Sequence, residues 1–290
     1  MKKLFVATMM LLTSLSLAPA QVTAEITMNQ ETFLLGESVP AAVRVTNRSG
    51  QKLKMGEDAD WLTFTIEKLG GNVVAKLSDP PVQREFTLES GQTGIRRVDF
   101  SPYFSLDRNG RYRIIANVRV KAWDSTITTA PKEFDIVNGA KIWSQEFGLP
   151  LSTGVTNSAP VVRRYSLEQA NYLRTQLRLY LRITDVDDER VIKVVHVGPM
   201  VSISKPTPQI DRGNNLHVLY QHTAHGYLYV VIRPDGEILA RQTHEIAESR
   251  PKLVGDENGN FRVVGGLRLP SDNDLPELKL SETDATQQTP

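Results

Sequence analysis

"LHVLYQHTAHGYLYV", residues 216–230, repeats with a period of two on either side of a short polar break. Successive side chains of a strand point to opposite faces. Leu216, Val218, Tyr220 and His222 therefore share one face, and His217 and Leu219 the other. With Thr223–Gly226 as the loop, the segment folds back as a β-hairpin in which His222 stands opposite Tyr227. The pattern extends in both directions. "RVIKVVHV" (190–197) precedes the hairpin, and "EILARQTH" (237–244) follows it through "RPDGE" with its turn at Asp235-Gly236. "NFRVVGG" (260–266) comes last. An antiparallel meander is the expected form of residues 161–270.

The hairpin carries three of the five histidines of the chain. In the register above, the next hairpin sets Gln242 opposite Tyr227. His222 and His244 then fall on one face at one sheet end, beside the loop that bears His225. These three are the candidate metal ligands. Strand spacing puts the backbones of His222 and His244 roughly 12 Å apart, while zinc holds imidazole nitrogens at about 2.0–2.1 Å. The side chains would have to lean inward, and histidines on a polar sheet end are the competing reading.

The preceding strand, "QLRLYLRIT" (176–184), puts Leu177, Leu179, Leu181 and Ile183 on one face and Arg178, Tyr180 and Arg182 on the other. An exposed cationic and aromatic face of this kind binds an acidic glycan or a protein through charge-assisted hydrogen bonds and stacking. Arg178, Tyr180 and Arg182 are therefore the candidate binding residues; the alternative is the wet side of an antiparallel sheet. "YSLEQANYL" (165–173) admits a helix, through a Ser166/Gln169 capping box, or a strand. Two acidic turns, "TDVDDER" (184–190) and "VGDENGN" (254–260), offer clustered oxygens for calcium but lack the EF-hand spacing, and both also suit ordinary β-turns.

Residues 25–137 alternate in the same way. Val39, Ala41, Val43 and Val45 of "VPAAVRVTN" share a face, as do Leu62, Phe64 and Ile66 of "WLTFTIEKLGGNVV", which turns at Gly70-Gly71. Tyr112, Ile114, Ala116, Val118 and Val120 of "GRYRIIANVRVKAW" form another such row, and "KEFDIVNG" adds a last strand. Short strands separated by Gly, Pro and Asn clusters point to a two-sheet sandwich. "LLGESVPAAVRVTNRSG" followed by "GRYRIIANVRV" resembles the Gly-Glu-x-Val strand opening, Asn-x-Ser turn and Gly-x-Tyr strand of immunoglobulin-like domains in exported bacterial proteins, macroglobulin-type domains included. That resemblance implies adhesion or scaffolding, although the cysteines of antibody-type domains are missing.

Between the halves, the Gly-, Pro- and Ser-rich residues 138–160 are expected to be a linker. The second half contains an internal echo: "PQIDRGNNLHVLY" from Pro208 and "PKLVGDENGNFRVV" from Pro251, 43 residues apart at the prolines and 45 at Asn215 and Asn260. The spacing matches the roughly 40–45 residues of one propeller blade, and the motif resembles repeats of secreted propellers and of a group of exported bacterial proteins. Two copies cannot close a ring of about four to eight blades. A blade-like open sheet is expected, or edges covered by self-association.

The N-terminus has the plan of an export signal over residues 1–24. Lys2 and Lys3 precede an apolar run, and Ala18-Pro19-Ala20 and Val22-Thr23-Ala24 are cleavage candidates. The run of about 14 residues is short of the roughly 20 that span a bilayer. The chain has no cysteine, which excludes disulfides, thiolate metal sites and thiol catalysis, and its net charge of +1 lacks the basic footprint of a nucleic-acid binder. Residues 271–290, acidic and poor in large apolar side chains, are expected to be a disordered tail. No nucleophile elbow, phosphate loop or zinc-protease motif occurs, and no motif requires a cofactor.

The expectation is an all-β chain: an immunoglobulin-like sandwich followed by an antiparallel, blade-like sheet domain. Its expected role is that of an exported, non-catalytic binding or scaffolding protein of the cell envelope, periplasmic or secreted, with a protein or glycan partner. The alternatives are a hydrolase of envelope polysaccharide or peptide using the histidine end, and a proteinase-binding inhibitor.

Overall fold

Strand propensity and alternation produce strands along almost the whole of the chain, with one 3-10 turn at Lys121–Trp123 as the only helical piece among the described residues. A computed structural model describes residues 22–71, 73–149, 161–172, 176–187 and 190–275. Residues 1–21 of the expected signal, 150–160 of the expected linker, Asp188, Glu189 and residues 276–290 of the expected tail lie outside them. The first strands are β1 (Val22–Thr27), β2 (Thr32–Leu34), β3 (Pro40–Asn47), β4 (Leu53–Met55), β5 (Leu62–Lys68), β6 (Phe86–Leu88) and β7 (Thr93–Asp99). Next come β8 (Gly110–Val120), β9 (Ser125–Thr128), β10 (Lys132–Val137), β11 (Ala140–Gly148), β12 (Val162–Tyr172), β13 (Gln176–Asp185) and β14 (Val191–Met200). The last are β15 (Thr207–Ile210), β16 (Leu216–Gln221), β17 (Gly226–Ile232), β18 (Ile238–Glu245), β19 (Lys252–Gly255), β20 (Phe261–Val264) and β21 (Leu267–Arg268).

The chain forms two compact units. Unit 1 takes the residues up to Asn29, Pro40–Ser105 and Tyr112–Glu133; unit 2 takes Gln30–Val39, Leu106–Arg111 and the residues from Phe134 onward. The boundary is not the single break near residue 138 that composition suggests, because two short early segments belong with the later half.

In unit 1, β1, β3 and β7 make an antiparallel sheet with β7 at its edge, and β8 pairs with both β5 and β9. The expected faces are the buried ones: Ala41, Val43 and Val45; Leu62, Phe64 and Ile66; Tyr112, Ile114, Ala116, Val118 and Val120; Val39, the last residue of its segment of unit 2, is buried as expected too. Each Val, Leu, Ile or Phe among them contributes about 1.5–3 kcal/mol on burial. Val22–Ala24, assigned from sequence to the signal peptide, belong to β1 and pair with Asn47, Thr46 and Val45. Val22 is itself buried, so the folded region starts earlier than residue 25.

Unit 2 contains a four-stranded sheet, β11-β12-β13-β14, and a five-stranded one, β15-β16-β17-β18-β21. Tyr165, Leu167, Leu179, Leu181, Ile183, Val195 and Val197 of the first join Leu216, Val218, Tyr220, Leu228, Val230 and Ile232 of the second in one buried cluster. The expected meander is thus divided: β14 belongs to one sheet and β16–β18 to the other, face to face. Residues 140–148, expected in the linker, form β11, where Phe147 stacks on Tyr165 at 4.0 Å. The apolar content of "KIWSQEF" outweighs its Gly and Pro neighbours. Residues 165–172 are strand, within β12. β20, expected to extend the meander, pairs only with β19.

Both outer faces of this pair of sheets are covered. Leu34 of β2, which pairs in parallel with β10, packs on Ala170, Tyr180 and Val194. Leu253 and Val263 of the β19–β20 ribbon pack on Leu219, Tyr227, Tyr229 and Val231. The first residues of the expected tail are also fixed. Asp274 is buried and accepts from Arg268 at 2.7 Å, and Leu275 exchanges two backbone hydrogen bonds with Arg241. Low apolar content gave no sign of this ion pair.

The internal echo is a repeated turn. Asp211 and Asp256 each accept from the backbone N–H of the asparagine four residues on, at 2.8 Å, and from its side-chain amide, at 2.9 and 3.1 Å. Asn214 and Gly259, third after each aspartate, both have positive φ, a conformation that Asn and Gly tolerate best.

Candidate binding site

Arg178, Tyr180 and Arg182 do share a face of β13, but that face is covered rather than exposed. Tyr180 is buried. Arg182 pairs with Glu168 through Nε at 2.7 Å and Nη2 at 3.1 Å, and donates to the Leu35 carbonyl at 2.8 Å. The pair is enclosed, with side chains 15% and 7% exposed. Arg178 lies over the Tyr172 ring at 3.3 Å and donates to Gln30 Oε1 at 3.3 Å. Glu37 accepts from the Leu34 N–H at 2.7 Å and from Gln30 at 3.1 Å. Burial raises the Glu37 carboxyl above its usual range, partly opposed by those hydrogen bonds and by Arg178. Burial, with Arg178 and Arg241 adding, pushes His196 down to about 4, while burial and Glu37 push Tyr180 up to about 12. Alternation identified the face correctly; the cover comes from residues 30–37, far away in sequence.

His222, His225 and His244 do not converge. The β16–β17 ladder pairs Gln221, not His222, with Tyr227, and the His222 N–H donates to the Gly226 carbonyl. Gly226 pairs with Glu245 and Tyr227 with His244. His222 therefore lies on the Glu245 side of the sheet and His244 on the opposite side. A slip of one residue reverses the face, and that slip separates the trio. His225 is exposed in the loop. Burial lowers the pKa of both His222 and His244, favouring neutral rings. Among the described residues no group of three His, Asp or Glu side chains is placed to hold a metal. The hydrolase reading loses its site with the same correction.

The acidic turns use their oxygens internally. Asp185 accepts from the Arg190 N–H at 3.2 Å, and Asp256 is engaged by Asn260. His217 is held between Asp211 at 3.0 Å and the Tyr229 hydroxyl at 2.7 Å. The row resembles a proton relay, but burial and Asp211 push Tyr229 up to about 12. Its hydroxyl stays protonated near neutrality, and the row braces the strands.

The open site is in unit 1. Residues 79–86 form a strap tied down by three hydrogen bonds to its backbone or side chains: Trp61 Nε1 to the Val82 carbonyl at 3.0 Å, Arg96 to the Pro81 carbonyl at 2.7 Å, and Gln83 to the Glu57 carbonyl at 3.0 Å. Gly56, at φ 82°, is required beneath it, because a β-carbon there would overlap the Arg84 carbonyl. On one side of the strap is a cavity of about 330 Å³ lined by Val43, Val45, Trp61, Arg84, Phe86 and Arg96 among others. Trp61 and Phe86 meet edge to face at 5.3 Å in its wall. A second cavity, of about 410 Å³, lies on the other side against Phe64, Lys76, Asp79 and Phe104. Both volumes fall in the range of about 300–1,000 Å³ typical of ligand pockets.

Arg84, Arg96 and Arg97 make no ion pair among the described residues, whereas Arg113 and Arg119 of β8 pair with Glu67 and Asp60. Sequence reading missed this site because its residues come from four separate segments. The available signals were Pro80-Pro81, which ends strand character, and Arg96-Arg97 on a short strand.

The fold and the cleft define a β-sheet protein with an apolar, arginine-rimmed pocket. No protein-family model matches the chain, and no curated protein matches it. Among solved structures it is similar to Spo0M, a sporulation control protein from Bacillus subtilis, at 8% identity and a TM-score of 0.31, over 76% of this chain and 80% of that one. Similarity at that level assigns no function. No helix among the described residues is long and apolar enough to cross a membrane.

Proposed function

We propose that the protein is an exported, non-catalytic binding protein of the cell envelope, with the Trp61–Phe86 cleft as its binding site. The observation that carries this reading is the meeting of an aromatic wall, Trp61 and Phe86, with arginines that have no carboxylate partner among the described residues. Apolar pockets supply affinity and a few placed polar groups supply orientation. An arginine kept without a carboxylate partner is available to a ligand's anion.

Export is supported by the signal-like sequence of the N-terminus. Because β1 begins at Val22, cleavage after Ala20 leaves the strand whole, while cleavage after Ala24 removes its first half. Intact mass of the secreted protein is expected to start at Gln21; retention of Met1–Ala20 would contradict export by a cleaved signal.

The binding reading is tested by cross-linked pull-down from extracytoplasmic extract with wild type and Arg84→Glu. Arg84 is exposed and unpaired, so the substitution leaves the fold intact. A stoichiometric partner recovered by wild type and lost with Arg84→Glu is expected. Equal recovery by both proteins would remove the cleft as the site.

A further inference from the structure

The strand that borders the cleft has a free edge. β7 is the outermost strand of the β1-β3-β7 sheet, and among the described residues no backbone hydrogen bond reaches it from the far side. In an antiparallel pair, alternate residues turn their N–H and C=O groups away from the partner, so Thr93–Val98 presents a row of donors and acceptors open to a further strand. Gly94, Ile95 and Arg96 of the same strand line the cleft. Resting on the binding reading above, we infer that the ligand is an extended peptide segment that adds to β7 as a further strand, inserting an apolar side chain against Trp61 and Phe86 and setting an acidic side chain or carboxylate against Arg84 and Arg96.

Three features support this occupant. An added strand runs about 4.8 Å from β7, which places every second side chain on the face where the cavity opens. Gly94 lies there with Phe86 and Leu88 at 3.0 and 3.2 Å from where its β-carbon would be. A side chain at position 94 would crowd those neighbours at the cavity's wall. The charge also favours an acidic segment: the cleft carries Arg84 and Arg96 against the single carboxylate Glu85, and Arg97, on the other face of the same strand, is a third arginine without an ion-pair partner among the described residues. Exposed edges are usually blunted by charge or covered. Here arginines outnumber carboxylates, Arg84, Arg96 and Arg97 against Glu85 and Asp99, so acidic segments are favoured over basic ones. Main-chain bonding then supplies affinity and the pocket supplies selectivity, as in other cases of strand addition.

The test is selection of a random 12-residue peptide display library on the full chain, followed by solution affinities of synthetic versions of the enriched peptides. Enriched sequences are expected to alternate large apolar residues and to carry Asp or Glu. N-methylation of alternate backbone amides in the phase that faces β7 is expected to weaken binding at least tenfold, and methylation in the other phase is expected to have little effect. Arg84→Glu should weaken binding by a similar factor, with Arg84→Lys recovering most of it. No enrichment over a library round without protein, or affinities indifferent to methylation, would overturn strand addition. If the pull-down partner still depends on Arg84 in that case, the cleft survives as a binding site and only the peptide assignment fails.

Discussion

Two arginine-bearing surfaces in this protein have opposite fates. On β13, Arg178, Tyr180 and Arg182 alternate cleanly with leucines, yet a segment 147 residues earlier in the chain covers them, and Arg182 is spent on Glu168 and the Leu35 carbonyl. Beside β7, Arg84 and Arg96 line an apolar cavity with no ion-pair partner among the described residues. Alternation assigns side chains to faces, but it does not say whether another layer covers the face. The proposed binding role rests on the uncovered surface, and the covered one contributes to stability.

The comparison can be broken by stability measurements. The largest expected effect is for Arg182→Ala, which leaves the Glu168 carboxylate buried without its partner. A cost of about 3–5 kcal/mol is expected by urea denaturation, against no more than about 0.5 kcal/mol for Arg84→Ala. Similar values for the two would abolish the distinction.

Next is a pH dependence in which the covered face carries the large shift, at His196, while His222 and His244 add in the same sense. His196 is neutral in the fold, with its pKa lowered from 6.5 to about 4, so its contribution is complete above pH 6.5 and is lost as pH falls toward 4. The full loss is on the order of 3 kcal/mol. Glu37, raised by burial, acts in the opposite sense at the lower end of that window, so the fall in stability should be blunted there. His196→Leu is expected to flatten the profile between pH 7 and 5; an unchanged slope would place the titration elsewhere.

A smaller effect is expected at the open site. Gly56→Ala must displace the strap at Arg84, at a cost of about 1–3 kcal/mol, and should weaken ligand binding while leaving the His196 slope intact. Thermal unfolding and titration of the same variant check both parts.

Much of this arrangement was legible in the sequence. The buried rows Val39–Val45, Leu62–Ile66 and Tyr112–Val120, and the split of β13 into leucine and arginine faces, follow from period two alone. What was not legible depends on long-range or single-residue events. Residues 30–39 join unit 2 although their neighbours on either side belong to unit 1. The loop after Gln221 shifts the ladder by one residue and moves His222 and His244 to opposite sides. Asp274, in a polar segment, is held by Arg268. The cleft is assembled from four segments, none of which carries a motif.

The most direct test of the central claim is amide hydrogen exchange on the full chain, with and without a saturating peptide from the display selection. Added protection is predicted at alternate amides of Thr93–Asp99, together with slowed exchange in the 79–86 strap, and no change in β13. Unchanged exchange along β7 at saturation, or protection centred on β13 or the β16–β17 loop, would contradict the account.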